Sequence, residues 1–192
     1  MTDAGAPDLI DVLMADHREV ESIFAELAAG AGEPEHRKRL TDVVIAELVR
    51  HSVAEEMYLY PAAKAALPDG EQLSEHEIAE HAEAEVLMNR IDGLDATDPE
   101  FEPAVARLVE AIRHHVADEE GDLFPRLRQA LSPDELVQLG RKVEAAKKIA
   151  PTRPHPSAPD RPPLNKLVAP GAGLVDRVRD ALTNRPTSAS DL

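Results

Sequence analysis

The chain has 192 residues, no cysteine and a formal net charge of −16. This excludes disulfides, thiolate zinc sites and iron–sulfur clusters, and argues against nucleic acid or an anionic membrane surface as a partner. Hydrophobic residues make up 43% and aromatics only 3%, so the core must be built from Leu, Val, Ile and Ala, which suits helices better than a β-sandwich.

The opening stretch, MTDAGAPDLIDVL, has neither a basic n-region nor a long apolar run. No segment reaches the roughly 20 apolar residues of a membrane span, so the expected compartment is the cytoplasm. Helical periodicity then predicts four long segments, about 8–29, 35–66, 72–93 and 99–131. Breakers separate them at Gly30 to Pro34, Pro68-Asp69-Gly70 and Gly93 to Pro99. A shorter helix over about 133–148 opens on Ser132-Pro133-Asp134-Glu135, an N-cap, a Pro at N1 and an acidic first turn. The expected layout is an all-α, up-down-up-down four-helix bundle with an extra short helix over residues 1–148, and a Pro-rich extension over 149–192. Seven prolines from Pro151 to Pro170 predict extended chain there. Residues 173–182 form a short amphipathic helix in this reading, with Leu174, Val175, Val178 and Leu182 on one side, packed as a strap on the bundle together with Leu164, Leu167 and Val168. The last residues are expected to lack structure.

An internal repeat singles out the chemistry. At an offset of 64 residues, His51-Ser-Val-Ala-Glu55-Glu56-Met-Tyr-Leu-Tyr-Pro61 aligns without gaps on His115-Val-Ala-Asp-Glu119-Glu120-Gly-Asp-Leu-Phe-Pro125. Asp16-His17 aligns on Glu80-His81 at the same offset. Each half is a helical hairpin with one His on its first helix and HxxxE on its second. Of the eight histidines, His36, His76, His114 and His155 fall outside this pattern. His17, His51, His81 and His115 remain, with Glu55 and Glu119.

Periodicity tests the choice independently. The predicted buried stripes are Leu13, His17, Val20, Phe24, Leu27; then Leu40, Val44, Leu48, His51, Glu55, Tyr58, Ala62; then Leu73, Glu77, His81, Ala84, Met88, Ile91; and Val105, Leu108, Ile112, His115, Glu119, Leu123. The chemically active residues thus share the apolar faces. Glu77, four residues before His81, joins them. Tyr58 reads as a core aromatic, or as a donor or ligand beside the site. Glu56 and Glu120, about 100° from the inward carboxylates, are expected to face water. Pro61 and Pro125 should kink their helices just past the site.

Three glutamates and four histidines converging in an apolar interior need compensation, because a buried, unpaired carboxylate costs several kcal/mol or more. Two divalent cations supply it better than protonation or His–Glu pairing. HxxxE places imidazole and carboxylate on adjacent turns of one face, so a Glu from each half can join two ions while histidines cap each end. Mixed imidazole and carboxylate donors suit iron, manganese or zinc. The bland alternative is a polar core of paired His and Glu.

The order H, HxxxE, H, HxxxE, as His17, His51/Glu55, His81 and His115/Glu119, resembles the hemerythrin-like HHE cation-binding family over about residues 8–131. The HHE-plus-tail layout is similar to actinobacterial members. The resemblance implies a non-haem centre of two iron ions, oxo- or hydroxo-bridged, with Glu55 and Glu119 bridging and His17, His51, His81 and His115 as terminal ligands. The oxygen-carrying relatives have HxxxH on the third helix, where this chain has Glu77xxxHis81. That added anion favours ferric iron and counts against reversible oxygen carriage.

The function this reading implies is a di-iron protein that reacts with or senses oxygen, peroxide or nitric oxide, its partner a small diatomic or peroxide ligand. Two alternatives belong to other classes. One is a di-iron oxidase or peroxidase enzyme; the other is an iron-responsive interaction or storage protein, in which metal loading stabilises the bundle. Nothing in the sequence specifies an oligomeric state.

Overall fold

The structure is a computed structural model and describes residues 5–30, 32–156 and 164–192, with side chains from Ala169 onward in the last stretch. Helix α1 spans Leu9–Ala28 and starts at a reciprocal cap: Asp8 Oδ1 accepts from the Asp11 amide at 2.9 Å and Asp11 returns the bond. Helix α2 spans Pro34–Ala54, α3 Tyr60–Ala66, α4 Gly70–Asp92, α5 Phe101–Asp118, α6 Phe124–Ala130, α7 Pro133–Lys147 and α8 Leu164–Thr183. Among the described residues there is no strand, and no helix is long and apolar enough to cross a membrane.

Two apolar clusters fix the topology. One holds Leu9, Leu13, Leu59, Ala63, Ile78, Leu123 and Leu127. The other holds Val20, Phe24, Leu40, Leu48, Met88, Phe101 and Leu108. Helix α1 runs from the first cluster to the second, α2–α3 returns, α4 goes out again and α5–α6 comes back. This is the expected up-down-up-down bundle, and on each helix the His/Glu positions fall between the clusters.

The second and fourth helices are not continuous α-helices. Each is interrupted by one π turn, Glu55–Leu59 and Glu119–Leu123, where the amides of Tyr60 and Phe124 reach back five residues to the carbonyls of Glu55 and Glu119. Pro61 and Pro125 explain both. A proline inside a helix lacks an N–H and its ring collides with the carbonyl four residues back; widening the turn by one residue relieves both faults. The expected kink is therefore realised as an inserted residue.

Helix α7 crosses α1 and α2 from outside. Its Ser132/Glu135 capping box is as expected, and Gly140 allows the approach, since a Cβ there would stand 2.9 Å from the Asp8 carbonyl carbon.

The C-terminal segment departs from expectation in three ways. Residues 164–170 are helical, with Pro170 inside α8; as its seventh residue, Pro170 removes one i→i−4 hydrogen bond from the helix. The expected apolar strap is inverted: Leu174, Val175, Val178 and Leu182 do share one side, but it faces solvent, with Leu182 82% exposed. The inward face carries Asp176 and Asp180 instead. These acids meet Arg153, whose Nε donates to Asp180 at 2.8 Å and whose Nη1 donates to Asp92 of α4 at 2.9 Å. Arg185 adds ion pairs to Asp92 at 3.2 Å and Asp42 of α2 at 3.5 Å. Charge, not oil, decides which side of α8 turns in. Third, the last residues are structured, with a 3-10 turn at Ala189–Asp191 and carbonyls of Thr187 and Asp191 bound by Arg50 and Arg39. The expected packing of Leu164, Leu167 and Val168 lies outside the described side chains.

Candidate metal centre

Four helices each bring an imidazole into the layer between the two apolar clusters. His17, His51, His81 and His115 are all buried, as are Glu55, Glu77 and Glu119. The imidazoles form two pairs. Nε2 of His17 stands 3.2 Å from Nε2 of His51, and Nε2 of His81 stands 3.1 Å from Nε2 of His115. The carboxylates link the pairs. Glu55 lies 3.0 Å from His51 and 3.4 Å from His81; Glu119 lies 3.5 Å from His17 and 3.7 Å from His115. Each glutamate therefore touches one histidine of each pair.

The other ring nitrogens explain why Nε2 faces inward. Every Nδ1 is held by a carboxylate: His17 by Glu120 at 2.8 Å, His51 by Asp16 at 3.2 Å, His81 by Glu56 at 3.3 Å and His115 by Glu80 at 3.0 Å. Asp16 is in turn paired with Lys147 of α7. An Nδ1–H donating to a carboxylate leaves the lone pair on Nε2. The four acids obey the repeat, Asp16 matching Glu80 and Glu56 matching Glu120. Glu56 and Glu120 thus do not face water as expected: the π turn spreads one turn over roughly 4.4 residues, so the residue after each inward glutamate stays near the site.

The same widening moves the aromatic. Tyr58, the expected neighbour, is only half-buried; Tyr60 takes the place, and its hydroxyl donates to Glu119 Oε1 at 3.2 Å and sits 3.2 Å from His81 Nε2. Ala62 gives way to buried Ala63 for the same reason. Phe124, the repeat mate of Tyr60, stacks on His17 with ring centroids 5.7 Å apart. The matched prolines were the signal for this shift, since each removes the amide that a regular helix would use.

Glu77 lies with Oε2 2.9 Å from Nδ1 of His115, and its donor atoms share a neighbourhood with those of His115 and Glu119. His114 and His76 are exposed on the bundle surface.

Electrostatics sharpen the picture. Burial alone would lower His51, but the charge of Glu55 and the hydrogen bond to Asp16 outweigh it and raise the imidazole to about 10. Burial would raise Glu55, yet His51 and His81 hold it well below the carboxylate range. His115 is raised well above its ordinary value, Glu119 and Glu77 overcoming burial. Burial pushes Glu77 up, and burial with the charges of Glu119 and Glu55 pushes the Tyr60 phenol well up.

Even so, both oxygens of Glu55, Oε2 of Glu77 and Oε2 of Glu119 are buried without a directed hydrogen bond. Buried acceptors are ordinarily satisfied. Two nitrogens on one cation at about 2.1 Å stand roughly 3.0–3.4 Å apart, which matches both imidazole pairs. The orphaned oxygens and facing lone pairs fit a cation in each half, and the His/Glu clusters His17, His51, Glu55, Glu119 and Glu55, His81, His115 are each compact enough to hold one.

A cavity of about 160 Å³ reaches this layer, floored by the four histidines and walled by Val20, Phe24, Leu48 and Ile112. Two ion pairs line it as well, Arg113 with Glu21 at 2.7 Å and Arg18 with Glu120 at 2.6 Å.

The comparisons agree with this geometry. An uncharacterized hemerythrin-like protein of Schizosaccharomyces pombe is 30% identical over 177 residues, covering 92% of this chain and 87% of that one. A DNA nickase of Nostoc sp. is 29% identical over 137 residues, 71% of this chain but only 38% of the nickase. The crystal structure of a hemerythrin HHE cation-binding domain-containing protein from Mycobacterium kansasii shares the fold, with a TM-score of 0.64 at 23% identity over 74% of this chain and 86% of that one. With the hemerythrin HHE cation-binding domain model matching residues 8–127, the chain belongs to the hemerythrin HHE cation-binding family.

Proposed function

We propose that the protein holds two non-haem iron ions and uses them to react with or sense oxygen, peroxide or nitric oxide. One observation carries the reading: two facing imidazole pairs, joined by two buried glutamates of whose four oxygens only Glu119 Oε1, bound by Tyr60, has another directed partner. His17 and His51 would hold one ion, His81 and His115 the other, with Glu55 and Glu119 shared. Glu77 is the third carboxylate of the set, against His115. Manganese or zinc would fit the same donors; iron supplies the redox chemistry that the small ligands need.

The chain's own groups support the rest. Asp16, Glu56, Glu80 and Glu120 orient the imidazoles and make them stronger donors. The largely apolar cavity admits a small neutral molecule and has no room for a large substrate. Three carboxylates at the centre favour ferric iron, which points away from reversible oxygen carriage. The net charge of −16 keeps nucleic acid out of this reading.

Tyr60 favours a second reading, turnover as an oxidase or peroxidase. Its phenol, hydrogen-bonded to Glu119, can pass a proton at the centre. Anaerobic loading with ferrous iron, iron counting and optical spectra before and after oxygen test the proposal. Two irons per chain with an oxygen-dependent near-ultraviolet band are expected; no retained iron refutes it. Steady-state peroxide consumption with a reductant decides the second reading.

A further inference from the structure

Two histidines outside the buried set sit on its outer side. His76 is followed four residues later by Glu80, and His114 by Asp118. Helix α5 and the first residue of the π turn after it thus carry two ladders one residue apart, His115/Glu119 turned inward and His114/Asp118 about 100° away on the surface. Helix α4 repeats this, with Glu77/His81 inside and His76/Glu80 outside. Because α4 and α5 are antiparallel neighbours, the outer ladders meet. His76 Nε2 lies 3.6 Å from Glu80 Oε1, and His114 Nε2 lies 3.8 Å from both Glu80 Oε1 and Asp118 Oδ2. Donor atoms of His76, Glu80 and Asp118 all fall within 4.8 Å of one another.

These gaps are too long for hydrogen bonds. They are close to the edges of a coordination shell, since donors about 2.1 Å from a tetrahedral ion stand about 3.4 Å apart; His76, Glu80 and Asp118 make the compact set, and His114 approaches it through Glu80 and Asp118. Glu80 is an anchored acid: its Oε2 receives His115 Nδ1 at 3.0 Å, and its side chain is only 20% exposed, which leaves Oε1 presented to the cluster. Two imidazoles with two carboxylates also differ in kind from an acidic patch, because the nitrogens select transition metals over calcium or magnesium.

We propose that His76, Glu80, His114 and Asp118 form a second, exposed site for one divalent transition-metal ion, separate from the buried centre and joined to it through Glu80. An ion there competes with His115 for the charge of Glu80, so filling the outer site alters the donor strength of an inner imidazole. The site is also a point on the surface where a cation can be held one side chain away from the buried layer.

Zinc titration by calorimetry tests this on iron-loaded, washed protein and on metal-free protein. One zinc ion per chain beyond the buried set is expected. The His76→Ala/His114→Ala variant should weaken it by roughly 100-fold or more, losing half of the donors, and Asp118→Asn by roughly tenfold. Both histidines are exposed, so the variant's melting curve should match the parent's, and a match shows that the loss is local. Equal zinc binding by parent and double variant overturns the proposal, and an Asp118→Asn variant identical to the parent overturns the four-donor site. His51→Ala separates this proposal from the buried centre. Outer zinc should persist in it, so a failure of either site is seen without the other.

Discussion

The four acids behind the imidazoles make a prediction that is specific to one ion at a time. Glu120 and Asp16 serve His17 and His51, one facing pair; Glu56 and Glu80 serve His81 and His115, the other. Removing such a partner ordinarily lowers metal affinity about 10- to 100-fold, about 1.4–2.8 kcal/mol. Glu56→Ala should approach the upper figure, because Glu56 is 9% exposed and its charge is little screened. Glu120→Ala should lie nearer the lower one: Glu120 is more open, and Arg18 already binds it through two nitrogens, at 2.6 and 2.9 Å. Titration against a chromophoric chelator resolves two binding steps. Each variant should shift one step, Glu120→Ala and Asp16→Asn moving the same one and Glu56→Ala the other. Equal shifts of both steps in every single variant, or none in either, would refute the pairing.

Three further outcomes follow from the same geometry. In the metal-free chain His51 is raised to about 10, with His81 and His115 also raised; protonated, they stabilise the fold fully below about pH 6.5, and each contribution fades as pH rises through that group's raised value, about 10 for His51. Metal competes with those protons, so apparent affinity should climb over that window, and loading at pH 7 should release protons measurable with an indicator dye; pH-independent affinity would contradict it. Tyr60→Phe leaves Glu119 Oε1 without its donor and should cost the metal-free protein about 1–3 kcal/mol in denaturant unfolding, with a smaller loss once metal takes up that carboxylate; an unchanged metal-free midpoint would argue against it. Arg153→Ala leaves Arg185 as the remaining cation for Asp180 and Asp92, so the loss should fall below the about 3–5 kcal/mol of a fully stranded buried charge if the segment stayed docked. Detachment caps that cost, so protease cleavage in the C-terminal segment should rise while the bundle's main melting transition barely moves; co-operative melting of both together would refute the view of α8 as a separable clasp.

How far the sequence speaks depends on helix phase. His17, His51, His81, His115, Glu55 and Glu119 could be read because the repeat places them in register and none lies beyond the first residue of a π turn, so the 3.6-residue period still holds for each. The widened turn shifts the phase, so buried Ala63 stands one position after the expected Ala62, and Tyr60, not Tyr58 within the turn, reaches the site. Pro61 and Pro125 carried that information, but a proline specifies trouble with an amide, not whether the helix bends or widens. Asp16, Glu80, Glu56 and Glu120 were inside the repeat too, and their role depends on which nitrogen of each ring turns inward, a matter of three-dimensional packing. For α8 the hydrophobic period was sound and its direction was not. Periodicity locates an apolar face, and only partners such as Arg153, Arg185 and Asp92 decide whether that face or the opposite one is buried.

The two halves of the bundle are copies that have stopped being equal. Phe124 lies over His17, while Tyr60 and Glu77 both crowd the His81/His115 side. One half-site is therefore dressed in hydrocarbon and the other in oxygen. A harder, more highly charged ion prefers oxygen neighbours, and a softer one tolerates their lack. Duplication alone would have given a symmetrical vessel that fills at random. A hydroxyl and a carboxylate on one side break that symmetry, so that ions entering the two half-sites would meet different neighbours and need not fill them alike.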